Sequence, residues 1–148
     1  MNRNEEQLNN FLVELFNDIL RLEETSLAKG EFSNLSISEM HVIDAVYEGT
    51  VEGYNTMTEI ANRLMITAST LTTSVKTLEK KGYLERTKLS SDKRKVIVIP
   101  TDLAKKAYES HQQFHKDMVQ VITKELSSEE LSTLAHVLRT LHKFFKKL

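Results

Sequence analysis

Thr56-Met57-Thr58-Glu59-Ile60-Ala61-Asn62-Arg63-Leu64, then Met65-Ile66-Thr67, then Ala68 through Lys81, is the stretch that decides how this 148-residue chain folds. A threonine with a glutamate three residues on, ahead of an apolar periodic run, is the capping-box signature of a helix start. The helix is short, Met65-Ile66-Thr67 reads as a turn, and Thr67 can cap a second helix from Ala68 to about Lys81. Gly82 closes it, because glycine takes the left-handed backbone without a Cβ penalty. In the second helix Leu71, Val75 and Leu78 recur at helical spacing and must pack, while Ser69, Thr72, Thr73, Lys76 and Lys80 form the opposite stripe.

Short hydroxyls on the first half of that stripe let the helix end approach phosphates and base edges closely, as a helix entering the major groove must. A plain helical hairpin with incidental threonines fits the same residues, and the segment after Gly82 decides between the two. Tyr83 to Lys88 and Lys95 to Ile99 have strand composition, and Leu89-Ser90-Ser91-Asp92-Lys93-Arg94 between them is a polar turn. Helix, turn, helix and basic hairpin make a winged helix-turn-helix, with Lys88, Lys93, Arg94 and Lys95 at the tip of the wing. Asp92 is out of place in a purely electrostatic arm, so its expected task is to accept hydrogen bonds from Arg94 or the turn backbone and fix the arginine's pose.

The net charge of −1 conceals a strong local asymmetry. Residues 1–56 carry 3 basic and 11 acidic side chains, residues 57–100 carry 9 and 4, and residues 101–148 carry 8 and 6. A positive field confined to the winged part favours one docking orientation on double-stranded DNA and an affinity that falls with salt. Zero cysteines exclude disulfides and thiolate metal sites. No segment reaches the apolar length of a membrane span, and Met1 to Glu6 lacks the regions of a secretory signal, so the expected location is cytoplasmic, with no membrane partner. No glycine-rich phosphate loop, nucleophile elbow or framed carboxylate pair appears, so an enzyme is not expected, and neither is a cofactor.

The flanks read as helices. Leu8, Phe11, Leu12, Leu15, Ile19 and Leu22 line one face from about Glu5 to Ala28. A helix capped by Ser36 or Ser38 runs to Tyr47, and Gly49 to Asn55 reads as a loop. Two more helices span Thr101 to about Lys124 and Ser128 to Lys147, the latter opened by a capping box at Ser127-Ser128-Glu129-Glu130 and striped by Leu131, Leu134, Leu138, Leu141, Phe145 and Leu148. The fold class is therefore mainly α with a small β-hairpin wing: a winged helix-turn-helix part at 36–101, with helices at 5–28 and 102–148 whose surplus apolar surface predicts a homodimer. Two-fold symmetry would offer two such helices to the half-sites of a palindrome, whereas the alternative is a monomeric helical cap.

Thr67-Ala68-Ser69-Thr70-Leu71-Thr72, Leu78-Glu79-Lys80-Lys81-Gly82-Tyr83-Leu84-Glu85-Arg86 and Asp92-Lys93-Arg94 resemble the recognition helix and wing of the MarR transcription regulators. The resemblance covers nearly all of residues 1–148 as a single MarR-type domain and implies a homodimeric bacterial regulator. It implies DNA contacts from Thr67, Ser69, Thr72, Thr73 and Lys76 and from Arg94 in the wing; Thr70, Lys88, Asp92, Lys93 and Lys95 complete the expected DNA-binding set. Pro100 and Ala104 depart from the leucine and glycine usual in the family.

A narrower resemblance, to the fatty-acid-synthesis repressor branch of that family (FabT), runs through Glu23-Glu24, Ile37 to His41, Ile43-Asp44, Phe114-His115-Lys116 and Met118-Val119. It implies a long-chain acyl group on acyl carrier protein as corepressor and an effector pocket among Phe11, Leu15, Met40, His41, Ile43, Phe114 and Met118. The same residues also read as ordinary core. His111 and His115 stand at i and i+4, a spacing that lets two imidazoles share a metal, and zinc-responsive members of the family resemble the chain at Glu24, His41, His111 and His115. The other reading of those four is a hydrogen-bonded polar cluster with no metal. From a different class altogether, a protein-interaction module whose basic wing binds an acidic partner remains open.

Overall fold

A computed structural model describes residues 1–148 as six helices and one hairpin: α1 (Arg3–Lys29), α2 (Ile37–Glu52), α3 (Met57–Leu64), α4 (Ala68–Lys80), β1 (Leu84–Lys88), β2 (Val96–Pro100), α5 (Asp102–Lys124) and α6 (Ser128–Lys146). Local chemistry sets the helix starts. Asn2, Ser36, Thr56 and Ser127 each accept from the backbone N–H three residues on, and Glu5, Glu39, Glu59 and Glu130 reach back to the capping residue's own N–H. Thr67 caps α4 by accepting from the Thr70 N–H at 3.1 Å. Gly82, at φ +86°, ends it as expected.

β1 and β2 pair antiparallel with Leu84 opposite Pro100 and Lys88 opposite Val96. Across the turn the Leu89 N–H donates to the Lys95 carbonyl at 2.8 Å, and the Lys95 N–H to the Asp92 carbonyl at 3.0 Å. A third backbone segment joins this ribbon: the Val98 N–H donates to the Asn55 carbonyl at 2.9 Å, and Thr56 bridges to Ile97. The wing is thereby stitched to the start of α3.

The chain forms two compact units, Met1–His111 and Gln112–Leu148, so that α1 and the first part of α5 cluster with the winged part. In the first unit Ile60, Leu71, Val75 and Leu78 from the helix pair meet Met40, Ile43 and Val46 from α2, Val98 from β2, and Ala104 and Ala107 from α5 in one buried core. In the second unit α6 buries no residue.

One boundary differs from the sequence reading. Gly49 lies inside α2, which continues to Glu52 and ends at Gly53 in the left-handed conformation. A Cβ on Gly49 would lie 2.5 Å from the Tyr54 carbonyl oxygen, and the Tyr54 N–H donates back to the Gly49 carbonyl at 2.7 Å. The glycine admits the returning chain and does not break the helix.

Candidate nucleic-acid interface

α4 presents its two faces as its periodicity requires. Leu71, Val75 and Leu78 are sealed, while Thr67, Ser69, Thr70, Thr73 and Lys76 are exposed and Thr72 is half-buried. Ion pairs fix the reader from behind. Arg63 on α3 donates to Glu48 at 2.7 Å and to Glu52 at 2.9 Å, both on α2. The Glu52 hydrogen bond, outweighing burial, and the Glu48 contacts hold the Arg63 guanidinium above its ordinary pKa. At the other end of α4 Lys81 bonds both Glu39 oxygens, at 2.9 and 3.0 Å, and the Asn34 carbonyl. Burial pushes the Glu39 carboxyl up, but the Ser36 hydrogen bonds and Lys81 outweigh it and leave the pKa lowered. Arg86 on β1 pairs with Glu79 on α4 at 2.7 Å.

Three cations of the basic segment, Arg63, Lys81 and Arg86, are thus engaged inside the unit. The outward positive charge lies on Lys76 and Lys80 of α4 and on Lys88, Lys93, Arg94 and Lys95 of the wing, all exposed. Asp92 does what its position suggested: it accepts from the Arg94 N–H and Nε at 3.1 Å and from Nη2 at 3.3 Å. The arginine side chain is nonetheless 91 % exposed, so one edge of the guanidinium is braced while the head stays available. Those hydrogen bonds, with Lys95 nearby, lower the Asp92 pKa.

Between wing and helices lies a groove of about 690 Å³, lined by Thr56, Met57, Thr58, Glu59, Thr72, Arg86, Arg94, Lys95 and Val96. Thr58 and Arg86 have no place in the sequence-derived site. Their contribution depends on backbone pairing between the Asn55-Thr56 segment and β2, which carries no side-chain signature.

Two other sequence-derived sites come out differently. The carboxylate that meets the histidines is Glu23, not Glu24: Glu23 is buried and lies 3.2 Å from His41 Nε2 and 3.7 Å from His111 Nε2, while Glu24 is exposed. One residue of register on a helix is about 100° of rotation, enough to exchange inside for outside. Asp44 joins the cluster at 2.8 Å from His111 Nδ1. Burial acts to lower the His111 pKa, but the hydrogen bond and charge of Asp44, together with Glu23, raise it. His115 falls in the second unit, Gln112–Leu148.

Of the expected effector-pocket residues, Met40 and Ile43 are wholly buried and serve as core, and His41 is occupied by Glu23. Phe11 and Leu15 stand 48 and 37 % exposed on α1, and Phe114 and Met118, in the second unit, are half-buried. Met40 and Ile43 pack in the core of the first unit, and in sequence an apolar helical stripe looks the same whether it faces core or ligand.

Comparison with known proteins agrees with this geometry. The MarR family model matches residues 35–96, from the start of α2 to the start of β2. The crystal structure of Streptococcus pneumoniae FabT in complex with DNA superposes with a TM-score of 0.87 at 33 % identity, over 97 % of this chain and 98 % of that one. The Staphylococcus aureus MepR–DNA complex gives a TM-score of 0.75 at 20 % identity, over 92 and 96 % of the two chains, a likeness of fold. The uncharacterized HTH-type transcriptional regulator YhjH of Bacillus subtilis is 32 % identical over 95 residues, 64 % of this chain and 53 % of that protein, so the matched region spans about half the length of this relative. No helix is long and apolar enough to cross a membrane. Family model, near-complete superposition and an outward-facing cationic wing together establish that the chain belongs to the MarR family of DNA-binding transcription regulators, not to a family of enzymes.

Proposed function

We propose that this protein is a repressor that binds a palindromic operator as a homodimer and controls fatty-acid-synthesis genes, with a long-chain acyl group on acyl carrier protein as corepressor. The observation that carries the proposal is the 33 % identity to FabT in complex with DNA over 97 % of this chain, a span that includes the terminal helices as well as the reader. The contacts assigned to DNA are Thr67, Ser69, Thr70, Thr72, Thr73 and Lys76 on α4, with Lys88, Lys93, Arg94 and Lys95 on the wing and Asp92 as the brace of Arg94. Support for the dimer comes from apolar side chains left uncovered in the single chain: Leu8, Phe11, Leu15 and Leu22 on α1, and Leu134, Leu138 and Phe145 on α6, are 36–54 % exposed. A two-fold copy would cover these faces and set two α4 helices one or more turns of duplex apart.

The test is retardation of a palindromic duplex by the full chain, whose mass in solution is measured in parallel by sedimentation. Acyl carrier protein loaded with long acyl chains should tighten the complex, while zinc or a chelator should leave it unchanged. A lone-chain mass at working concentration ends the dimer proposal. A response to zinc in place of acyl carrier protein ends the corepressor assignment. Arg94→Ala should abolish retardation, while substitution of a distant lysine should not; equal loss in both would point to an acidic-partner module.

A further inference from the structure

Three threonines along the outer side of α4 have already committed their hydroxyl protons. Thr72 donates to the Ala68 carbonyl at 2.8 Å, Thr73 to the Ser69 carbonyl at 3.1 Å and Thr77 to the Thr73 carbonyl at 3.2 Å, each four residues back along the same helix. Thr67 likewise donates to the Thr70 hydroxyl oxygen at 2.9 Å while capping the helix. A hydroxyl has one proton to give. In these side chains the parts left for a ligand are therefore the methyl group and the remaining oxygen lone pairs. The hydrogen-bond donors left on this face are Lys76, Lys80 and the hydroxyls of Ser69 and Thr70, so a face that reads as hydroxyl-rich in sequence is, along Thr72, Thr73 and Thr77, a row of methyls beside acceptors.

The major-groove edges of the bases respond to that difference. Guanine offers only acceptors there, N7 and O6, which a threonine without a free proton cannot bond; thymine offers a C5 methyl, and adenine and cytosine each offer an amino donor. We infer that Thr72, Thr73 and Thr77 recognise thymine methyl groups by contact, with their oxygens left to accept from base amino groups, and that the threonine methyl rather than the hydroxyl proton determines specificity. The inference rests on the proposed DNA-reading role of α4 and adds which base edge that helix selects. It leaves the protons of Lys76 and Lys80 for phosphate oxygens or guanine acceptors.

The test uses duplexes enriched by the full-length wild-type protein from a randomised pool. Thymines at the most strongly selected positions are replaced one at a time by uracil, which lacks only the C5 methyl. Each contacted thymine should then cost about fourfold in affinity, the worth of burying one methylene-sized group. On the protein side Thr73→Val keeps the branched methyl and the helical rotamer and should retain the preference for thymine over uracil. Thr73→Ser keeps the hydroxyl, loses the methyl, and should erase that preference at its position. Equal affinity of the wild type for thymine and uracil duplexes, or a preference that survives in the serine variant and vanishes in the valine variant, overturns the inference while leaving DNA binding intact. Failure to enrich any duplex overturns both this inference and the function it rests on.

Discussion

In the winged part apolar residues of every helix reach zero exposure: Ile60 on α3, Leu71, Val75 and Leu78 on α4, Met40, Ile43 and Val46 on α2. On α1 the one buried residue is a glutamate, and on α6 there is none, although both helices carry leucine and phenylalanine at helical spacing. Equal periodicity thus has two outcomes. In the reader the stripe is consumed within the chain, which makes α4 a fixed platform for its outer face. In the terminal helices it stays exposed in the single chain, and these are the faces the proposed dimer would cover. The largest expected effect follows directly: Leu71→Ala should cost about 2–5 kcal/mol in denaturant unfolding, since it empties a sealed site. Leu138→Ala, 48 % exposed, should cost within about 0.5 kcal/mol at dilutions where chains are single, and more only where they associate. Equal costs at high dilution would erase the contrast.

A second expected effect sharpens it from the small-residue side. Gly49→Ala puts a methyl 2.5 Å from a backbone carbonyl that cannot swing away, so it should destabilise by about 1–3 kcal/mol despite alanine's better helix propensity. Gly30, whose added Cβ would meet nothing nearer than 3.6 Å, is the control and should tolerate alanine. Thermal unfolding of the two variants distinguishes a packing requirement from a general intolerance of alanine at glycine positions.

These two positions also show what a linear reading can and cannot reach. The helix starts at Thr56, Thr67 and Ser127, the stop at Gly82 and the Asp92–Arg94 brace were legible because their chemistry is closed within three or four residues. Gly49 reads as loop in sequence because its reason lies in the returning Tyr54 carbonyl, which periodicity does not register. Glu23 and Glu24 are adjacent, equally acidic and equally helical; only the docking of α1 on α2 decides which faces His41. The groove beside Thr58 and Arg86 needed the pairing of Asn55 and Thr56 with β2, a backbone event silent in side-chain types. Met40 and Ile43 are legible as apolar, but whether they serve core or pocket is not, because both draw on the same residues.

Smaller effects are expected at the helix caps, where the two regions should agree. Thr56→Ala opens the capping box of α3 and Ser127→Ala that of α6, each removing the acceptor for a backbone N–H at 3.1–3.2 Å. Each should cost about 1 kcal/mol. Capping chemistry is local, so it does not depend on whether the helix behind it is sealed or uncovered. A Ser127→Ala variant that melts like wild type while Thr56→Ala does not would show that α6 contributes little to the cooperative unit, extending the contrast from packing to folding.

The least effect, and the one that bears on the buried polar cluster, is the response to pH. His111 is surrounded by Asp44 at 2.8 Å, Glu23 at 3.7 Å and the His41 ring at 5.9 Å between centroids. Burial alone would lower its pKa, but Asp44 and Glu23 win, and the folded value lies above the ordinary value of about 6.5. A histidine held more basic in the folded than in the unfolded chain stabilises the fold fully below the unfolded pKa, and loses that contribution as pH rises through the folded one. Unfolding free energy should therefore be greater at about pH 6 than at about pH 8, measured by denaturant titration. His111→Gln should lower stability at the acid end and flatten the profile, while the same change at exposed His136 on α6 should leave it as it is. If the His111→Gln profile keeps the wild-type slope, the protonated imidazole between two carboxylates is not what holds α1, α2 and the start of α5 together. The contribution of the cluster would then be a neutral hydrogen-bond network indifferent to pH.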